Sequence, residues 1–553
     1  MADEKFYIVK KKAVPEVLLQ VVEAKRLLDS ERVLTVQEAT EAVGISRSSF
    51  YKYKDDIFPF HENNRGRTIT FMLQMDDEPG LLSVVLGEIA KSRANILTIH
   101  QAIPIGGIAS LTLSIEMLPE TEEATVLIER MEAIKGVHYI KIVGREYVTE
   151  EKKSEVAVLG YGTVGSGVVE VLNQNRENIT KRAGKELNVK YVLDLRDFPG
   201  DPVEKILTHD FQDIVNDPEV AIVAEAMGGV KPAYDFVKAC LEAGKSVCTS
   251  NKELVAKHGA ELLEIAKQKK VNFLFEASVG GGIPIIRPLN QSLTADEIME
   301  ITGILNGTTN YILTQMRDYG YDFDTVLKEA QRLGYAERNP EADVEGYDAC
   351  RKLAILTSLA YGKQVDFEDI YTEGITKISS EDMKYAEGMG CAIKLLGMGN
   401  RQDDKFFAMV APRMISKNHP LYSVNDVFNG ILVKGNMLGD VMFYGRGAGK
   451  LPTASAVVAD IVDAAKHVGT NIMTLWSSKK LALSSCDEAM NVFFVRVPAE
   501  EKDAAVAAFG NVKEVKAEGV TGEFAFVTEK MTEAAFIEKS AKVTVKNRIR
   551  VEA

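Results

Sequence analysis

The sequence predicts an α/β protein of several domains, and three observations carry that prediction. Between Val156 and Glu276, short apolar runs alternate with helical patterns, as expected of a parallel sheet with helices on both faces. The first of those runs passes through a glycine-rich turn into a helix start. Two flanking stretches, 67–148 and 491–553, each read as strand, helix, strand, strand, helix, strand. At about 150 residues per domain, the 553 residues accommodate three or four units.

Charge and cysteine usage narrow the function before any motif is read. Lys and Arg total 66 against 80 Asp and Glu, a formal net charge of −14, so the chain lacks the basic excess that neutralises nucleic-acid phosphates. Cys240, Cys248, Cys350, Cys391 and Cys486 are odd in number and form no C-x-x-C pair. That argues against a disulfide framework or a zinc site and fits a reducing compartment. The acidic start Met1-Ala2-Asp3-Glu4 leads into no apolar core, and no later run approaches about eighteen uninterrupted apolar residues. The expectation is a cytoplasmic, unprocessed protein with no membrane partner.

Residues 1–66 read as a helical segment. Val17, Leu18, Val21, Val22, Leu27 and Leu28 recur at helical spacing, followed by Val36, Ala39, Val43 and Ile45. Thr35 with Glu38 forms a capping box, and Gly44 separates this helix from Ser46–Tyr51, a helix-turn-helix-like order. Eleven basic and eleven acidic residues in 1–66 leave no basic patch, which favours a small bundle or dimerisation arm over a DNA reader.

From Arg67 the runs Thr68–Met75, Leu81–Ser92, Ile96–Ile103, Ala109–Glu116, Thr121–Ala133 and Val137–Val143 follow the ferredoxin-like plan. The turn Asp76-Asp77-Glu78-Pro79-Gly80-Leu81-Leu82, with Asn95-Ile96 after the helix, resembles the ACT domain, a regulatory module that binds amino acids. Gly80 permits close approach of a ligand, and the amides at the helix start suit a carboxylate. The resemblance implies an effector site at Asp76, Pro79, Gly80, Leu81 and Asn95, in a domain spanning 67–148.

Glu150-Glu151-Lys152-Lys153 marks a linker. The segment Val156–Val169 then holds Gly160-Tyr161-Gly162-Thr163-Val164-Gly165 between a strand and a helix, the dinucleotide-binding fingerprint of a Rossmann domain expected over 154–287. Gly160 makes the turn, Gly162 admits the pyrophosphate and Gly165 packs the helix on the strand. The strand Val189–Leu193 ends near Asp194, Arg196 and Asp197. An acidic residue there favours the free 2′-hydroxyl of NAD and Arg196 the 2′-phosphate of NADP; with both present, the choice stays open. Ile222–Ala226 leads into Met227-Gly228-Gly229, followed by a helix over Ala233–Ala243, a strand Ser246–Thr249, a helix from Glu253 and a strand Asn272–Glu276.

Further motifs occur in order: Ser250-Asn251-Lys252-Glu253-Leu254, Glu276–Pro284, Asn306-Gly307-Thr308-Thr309-Asn310-Tyr311-Ile312, Gly334-Tyr335-Ala336-Glu337 and Asp343–Lys352. Over about 154–480 the chain resembles homoserine dehydrogenase, which interconverts L-aspartate 4-semialdehyde and L-homoserine with NADP or NAD. Hydride addition to an aldehyde builds negative charge on oxygen, which a lysine can both stabilise and protonate. Asp348 and Lys352 lie four apart on one helix face, a spacing that alone describes an ordinary ion pair. The resemblance implies Lys352 as proton donor, Asp348 at the substrate hydroxyl and Lys252 beside the nicotinamide. It also implies that Glu337 and Asp343 hold the substrate amine, with Tyr335 nearby, and that Gly307 and Thr308 hold its carboxylate. Gly228, Ser250, Gly447 and Gly449 would join the glycine turn and Lys252 around the cofactor.

Glu276, with the carbonyls of Val279, Gly281 and Ile283, matches the family's monovalent-cation (sodium) site, an all-oxygen set suited to a hard cation. Gly445–Val457 opens a helix without the G-K-[ST] ending of a phosphate loop and resembles the segment returning the chain to the nucleotide domain. The resemblance implies a substrate-binding and dimerisation domain over 288–435, inserted in the nucleotide domain, and a return over 436–480. Residues 491–553 are again ACT-like, but Pro498-Ala499-Glu500-Glu501 stands where the ligand turn belongs, which favours packing or dimerisation there. The whole reads as a homoserine dehydrogenase, a homodimer or homotetramer regulated by an amino acid, threonine by end-product logic, that binds across an ACT dimer. The competing reading, a catalytically inactive amino-acid-sensing regulator, has no use for Lys252, Glu337, Asp348 and Lys352 together. A cysteine-thioester route has only Cys350, inside a helix.

Overall fold

The linker divides the chain into two units, Met1–Glu151 and Lys152–Ala553, and the computed structural model describes residues 14–29, 35–53, 67–102, 104, 106–117, 124–146 and 153–552. In the first unit, helices Glu16–Asp29, Val36–Val43 and Arg47–Tyr53 bury Val21, Ala24, Ala39 and Phe50 together. Thr35 and Glu38 form the reciprocal capping box, and Gly44 closes the second helix. Residues 54–66 and most of the expected linker lie outside the described residues.

Strands Arg67–Asp76, Asn95–Gln101, Ile108–Met117 and Val137–Glu146 form an antiparallel sheet in the ferredoxin-like spatial order second, third, first, fourth. Ile69, Phe71, Leu73 and Met75 alternate into a core shared with helices Leu81–Lys91 and Ala124–Glu132. Within one chain the expected effector residues do not all meet. Asp76 pairs with Ile108 but Asn95 with Glu116, eight positions along the same strand, so roughly 27 Å separates Asn95 from the turn. Helix Leu81–Lys91 lies between them, so within one chain Asp76, Pro79, Gly80 and Leu81 cluster without Asn95, as a site shared across an ACT dimer allows.

In the second unit, Ser154–Leu159, Leu187–Leu193, Leu207–Thr208, Val220–Glu225, Ser246–Thr249 and Phe273–Leu274 form a parallel sheet in the spatial order 3-2-1-4-5-6. This is the dinucleotide-binding order, and its runs are apolar because helices cover both faces. Leu207–Thr208 was not anticipated, since two residues carry no periodicity. Helix Lys450–Lys466 returns to this domain and packs on Thr163–Gln174, so closely at Gly167 that a Cβ there would lie 2.9 Å from that of Ala454.

The second sheet has eleven strands. Ile298–Ile304, Cys391–Gln402, Lys405–Ser416, Phe428–Gly435 and Gly439–Arg446 form its larger part, with helices Gly307–Tyr319 and Tyr347–Tyr361 against it. Gly439–Arg446, expected beyond the domain boundary at 435, is its edge strand, so this sheet runs through Arg446. The C-terminal module is no separate body either. Its strand Asn547–Glu552 pairs in parallel with Lys405–Ser416, joining Met490–Pro498, Glu523–Val527 and Lys513–Val515 to the same sheet. Ion pairs of buried arginines cross the junction, Arg550 with Glu373, Arg496 with Asp382 and Arg413 with Glu552, while Arg550 and Arg496 also pair with Glu533 and Glu523 inside the module. No helix among the described residues is long and apolar enough to cross a membrane.

Candidate active site

Three elements converge on one carboxylate. Asp348 and Lys352 sit one turn apart in helix Tyr347–Tyr361, and both are buried. Lys352 Nζ lies 2.7 Å from Asp348 Oδ2 and donates to the Leu305 carbonyl at 2.8 Å. Lys252, the first residue of helix Lys252–Lys269, pairs with Asp348 Oδ1. Asn306 Nδ2 bridges Asp348 Oδ2 at 2.8 Å and Asp343 Oδ1 at 2.7 Å. Burial opposes the Asp348 charge, but the two ammonium groups outweigh it and hold the carboxyl well below its ordinary range. Lys352 is pushed down, first by burial and further by Lys252, while for the more exposed Lys252 the charge of Asp348 overcomes burial and raises it. Burial raises the Asp343 carboxyl.

Asn306 also caps helix Gly307–Tyr319, its Oδ1 accepting from the Thr309 amide at 2.9 Å. The amides of Gly307 and Thr308 then head a helix with no intrahelical acceptor, a site for a carboxylate. A Cβ on Gly307 would lie 2.8 Å from the Val427 carbonyl, so only glycine fits. The Thr308 hydroxyl, expected on the substrate, donates instead to the Tyr335 carbonyl at 2.6 Å, leaving its amide as the available donor. The exposed Tyr335 ring packs edge-on against Tyr311. Glu337 is exposed, and its carboxylate has no recorded partner among the described residues.

On the nucleotide side, Thr163 and Val164 begin helix Thr163–Gln174 behind Gly160 and Gly162, presenting free amides. A Cβ on Gly165 would stand 1.8 Å from the Gly160 carbonyl. Gly165→Ala therefore forces the turn open, and we expect cofactor affinity to fall roughly tenfold or more, as overpacking of a few kcal/mol implies. An unchanged cofactor Kd in a fluorescence titration would contradict this. Asp194 accepts from the Tyr161 amide at 2.8 Å and from Arg196 through Nε at 2.9 Å, Nη2 at 3.0 Å and its backbone amide at 3.0 Å. Arg196 holds that carboxyl far below its ordinary range, while its own side chain stays 62% exposed.

Several contributing residues escaped the sequence reading. Buried Glu225 accepts from the Met227 amide at 2.8 Å and from the Thr249 hydroxyl, shaping the loop that holds Gly228. Ser250 donates its amide to the Glu225 carbonyl at 3.3 Å, and Asn251 caps the Lys252 helix while donating to Gly229 at 2.6 Å. A Glu ending an apolar strand and an Asn before a helix were the available signals. Gly449 precedes the return helix, and Gly447 lies against the buried Asn429 amide, neither atom of which has a recorded protein partner.

The cation reading needs revision. Both Glu276 carboxylate oxygens are engaged, accepting from the amides of Ile285, Ile286 and Arg287 at 2.6–2.9 Å. No donor is recorded among the described residues for the carbonyls of Val279, Gly281 and Ile283 in this buried loop. The fit to a hard cation therefore rests on carbonyls rather than on the carboxylate. Glu276 is tied instead to Asp460, which accepts from its amide at 2.8 Å and from Arg287 at 2.6 Å, and which burial pushes up to about 8.

Family models match two adjoining stretches: "Homoserine dehydrogenase, NAD binding domain" over residues 160–276 and "Homoserine dehydrogenase" over 284–462. A homoserine dehydrogenase of Synechocystis is 49% identical over 316 residues, covering 56% of this chain and 72% of that protein. One from Pseudomonas aeruginosa is 39% identical over 368 residues, covering 64% and 84%. The crystal structure of a homoserine dehydrogenase from Thiobacillus denitrificans superposes with a TM-score of 0.66 at 38% identity, covering 72% of this chain and 98% of that one. That of S. aureus at pH 8.5 gives 0.61 at 32% identity, covering 73% and 100%.

Proposed function

The chain belongs to the homoserine dehydrogenase family, and from that premise we propose that Lys352, Asp348 and Lys252 form its catalytic centre. It is an NAD(P)-dependent oxidoreductase that reduces L-aspartate 4-semialdehyde to L-homoserine and back. The reading as an inactive regulator is not favoured. The observation that carries the catalytic assignment is a buried carboxylate shared by two lysines from different domains of the second unit.

The first-turn amides behind Gly160–Gly165, the Gly228 loop, Ser250 and the Gly447–Gly449 segment would hold the dinucleotide, the amides at its pyrophosphate, and its nicotinamide would supply the hydride. Lys352 holds the proton at Nζ for the developing alkoxide, fixed in place by Asp348 and the Leu305 carbonyl. Lys252 adds a second positive charge at that oxygen, beside the buried pair Asp348 and Lys352. The Gly307 and Thr308 amides take the substrate carboxylate, and Glu337 and Asp343 its ammonium. In the oxidative direction Lys352 receives the hydroxyl proton.

NADP is the preferred cofactor on this reading, because Asp194 is committed to Tyr161 and Arg196 and is not free for a ribose 2′-hydroxyl, whereas the Arg196 guanidinium remains exposed. Residues 67–148 bind an amino acid, threonine by end-product logic, across an ACT dimer at Asp76, Pro79, Gly80 and Leu81 of one copy and Asn95 of the other, where Gly80 heads helix Leu81–Lys91 and Asp76 faces His138 at 2.7 Å. The carbonyls of Val279, Gly281 and Ile283 hold a monovalent cation. Five cysteines without a disulfide support a cytoplasmic setting, in which the enzyme works as a homodimer or homotetramer. The test is homoserine oxidation with each cofactor, with and without threonine. We expect homoserine-dependent reduction with a lower KM for NADP+ and inhibition by threonine. No reduction of either cofactor overturns the activity, equal KM values overturn the preference, and indifference to threonine overturns that effector.

A further inference from the structure

Lys394, in strand Cys391–Gln402, is 1% exposed and makes no ion pair with any described residue. Its amino group meets three oxygens: Asn310 Oδ1 at 3.1 Å, Asn425 Oδ1 at 3.0 Å and the Val424 carbonyl at 2.5 Å. Three acceptors suit the ammonium, which has three N–H donors. A neutral amine has one donor fewer and turns a lone pair toward an oxygen. The site is thus shaped for a cation that burial disfavours, and burial pushes Lys394 down to about 7. The charged groups around it are Arg317 and Asp318 at the far end of helix Gly307–Tyr319 and Asp426 in the facing turn, none of them hydrogen-bonded to it.

What Lys394 joins gives it a purpose. Asn310 lies in the first turn of the helix headed by Gly307, and its Nδ2 faces the carbonyls of Val424, Asp426 and Phe428 at 3.2, 3.0 and 3.0 Å. In the middle of that turn, the Val427 carbonyl stands where a Cβ on Gly307 would meet it at 2.8 Å. Turn and helix start are therefore clamped together from both sides by one lysine. We propose that Lys394 is a positioning residue for substrate binding: through Asn310 and the turn Val424–Phe428 it sets where the Gly307 and Thr308 amides stand. This rests on the reading of those amides as the site of the substrate carboxylate.

The test uses the full-length enzyme with L-homoserine and with 3-aminopropan-1-ol, which is homoserine without its carboxylate. In Lys394→Met the homoserine KM should rise about tenfold below pH 7, with kcat and cofactor KM within about twofold of wild type and the KM for aminopropanol unchanged. Wild-type homoserine KM should climb as pH passes about 7 and the ammonium is lost, while the variant is high and flat. Asn425→Asp places a carboxylate on the ammonium, so its KM should stay low to a pH about one unit higher; this variant removes no buried group and covers the case in which Lys394→Met does not fold. If wild type fails to prefer homoserine over aminopropanol, the amide site itself is wrong. If wild type prefers it and both variants do so with an unshifted pH profile, the role of Lys394 is wrong.

Discussion

Replacing Lys352 by methionine lowers kcat for homoserine oxidation by about two to four orders of magnitude, the range that a positioned general acid or base supplies. Homoserine KM changes far less, because the proposed carboxylate and ammonium contacts lie on other residues. The protein should still fold, since Asp348 keeps Lys252 and Asn306 as partners and no charge is left stranded. The pH dependence carries the second half of the prediction. In oxidation Lys352 must be neutral to accept a proton, and burial with Lys252 nearby lowers it from the ordinary 10.5. Wild-type kcat should therefore rise with pH and level off below pH 10.5, and this step should vanish in the variant. Retention of kcat within tenfold would remove Lys352 from the proton-transfer role.

Arg550→Met should be the most destabilising single change at the junction of the C-terminal module, costing about 3–5 kcal/mol, the penalty for stranding a buried charge. Arg550 is fully buried, donating to Glu533 Oε1 at 2.6 Å and Oε2 at 3.1 Å and to Glu373 Oε2 at 3.0 Å. Burial opposes ionisation of Glu373, but Arg548 and Arg550 outweigh it and lower the carboxyl. A lowered carboxyl contributes stability above its unfolded value near 4.5 and loses it as pH falls, so wild type and variant should converge under acid. The effect should also reach the active site. The segment after Glu373 packs on the turn between Asp343 and Asp348, with the Ile375 amide donating to the Val344 carbonyl at 2.8 Å and Thr376 Oγ1 to Glu345 at 3.0 Å. Urea unfolding and activity measured together check this; an unshifted midpoint would show that the junction does not depend on Arg550.

The features legible in the sequence are those with short-range causes. The turn around Gly160 and Gly165 is read from glycine spacing, and the shared face of Asp348 and Lys352 from a separation of one helical turn. Side-chain commitments were opaque, because they are decided by backbone groups far along the chain. Glu276 looks like a cation ligand until the amides of Ile285–Arg287 close on it, and the Thr308 hydroxyl looks free until Tyr335 arrives. The distance between Asn95 and Asp76 within one chain is invisible in the linear order, because the antiparallel register sends them to opposite ends of the strand between theirs. Lys394 gave no signal, since an isolated lysine in an apolar run has no local partner to predict.

The strand Asn547–Glu552 has one more implication, for synthesis. Its neighbour in the sheet is Lys405–Ser416, and the ion pair across that seam joins residues 139 apart in the chain. At about 5–20 residues per second, a ribosome spends on the order of ten seconds making the intervening chain. Tyr371–Thr372, made earlier, pairs with Met409 and Val410, but throughout that interval Arg413–Ile415 exposes an unpaired edge, and such edges are where nascent chains associate wrongly. Chaperone demand during translation should therefore concentrate on this edge and end when Asn547–Glu552 leaves the exit tunnel.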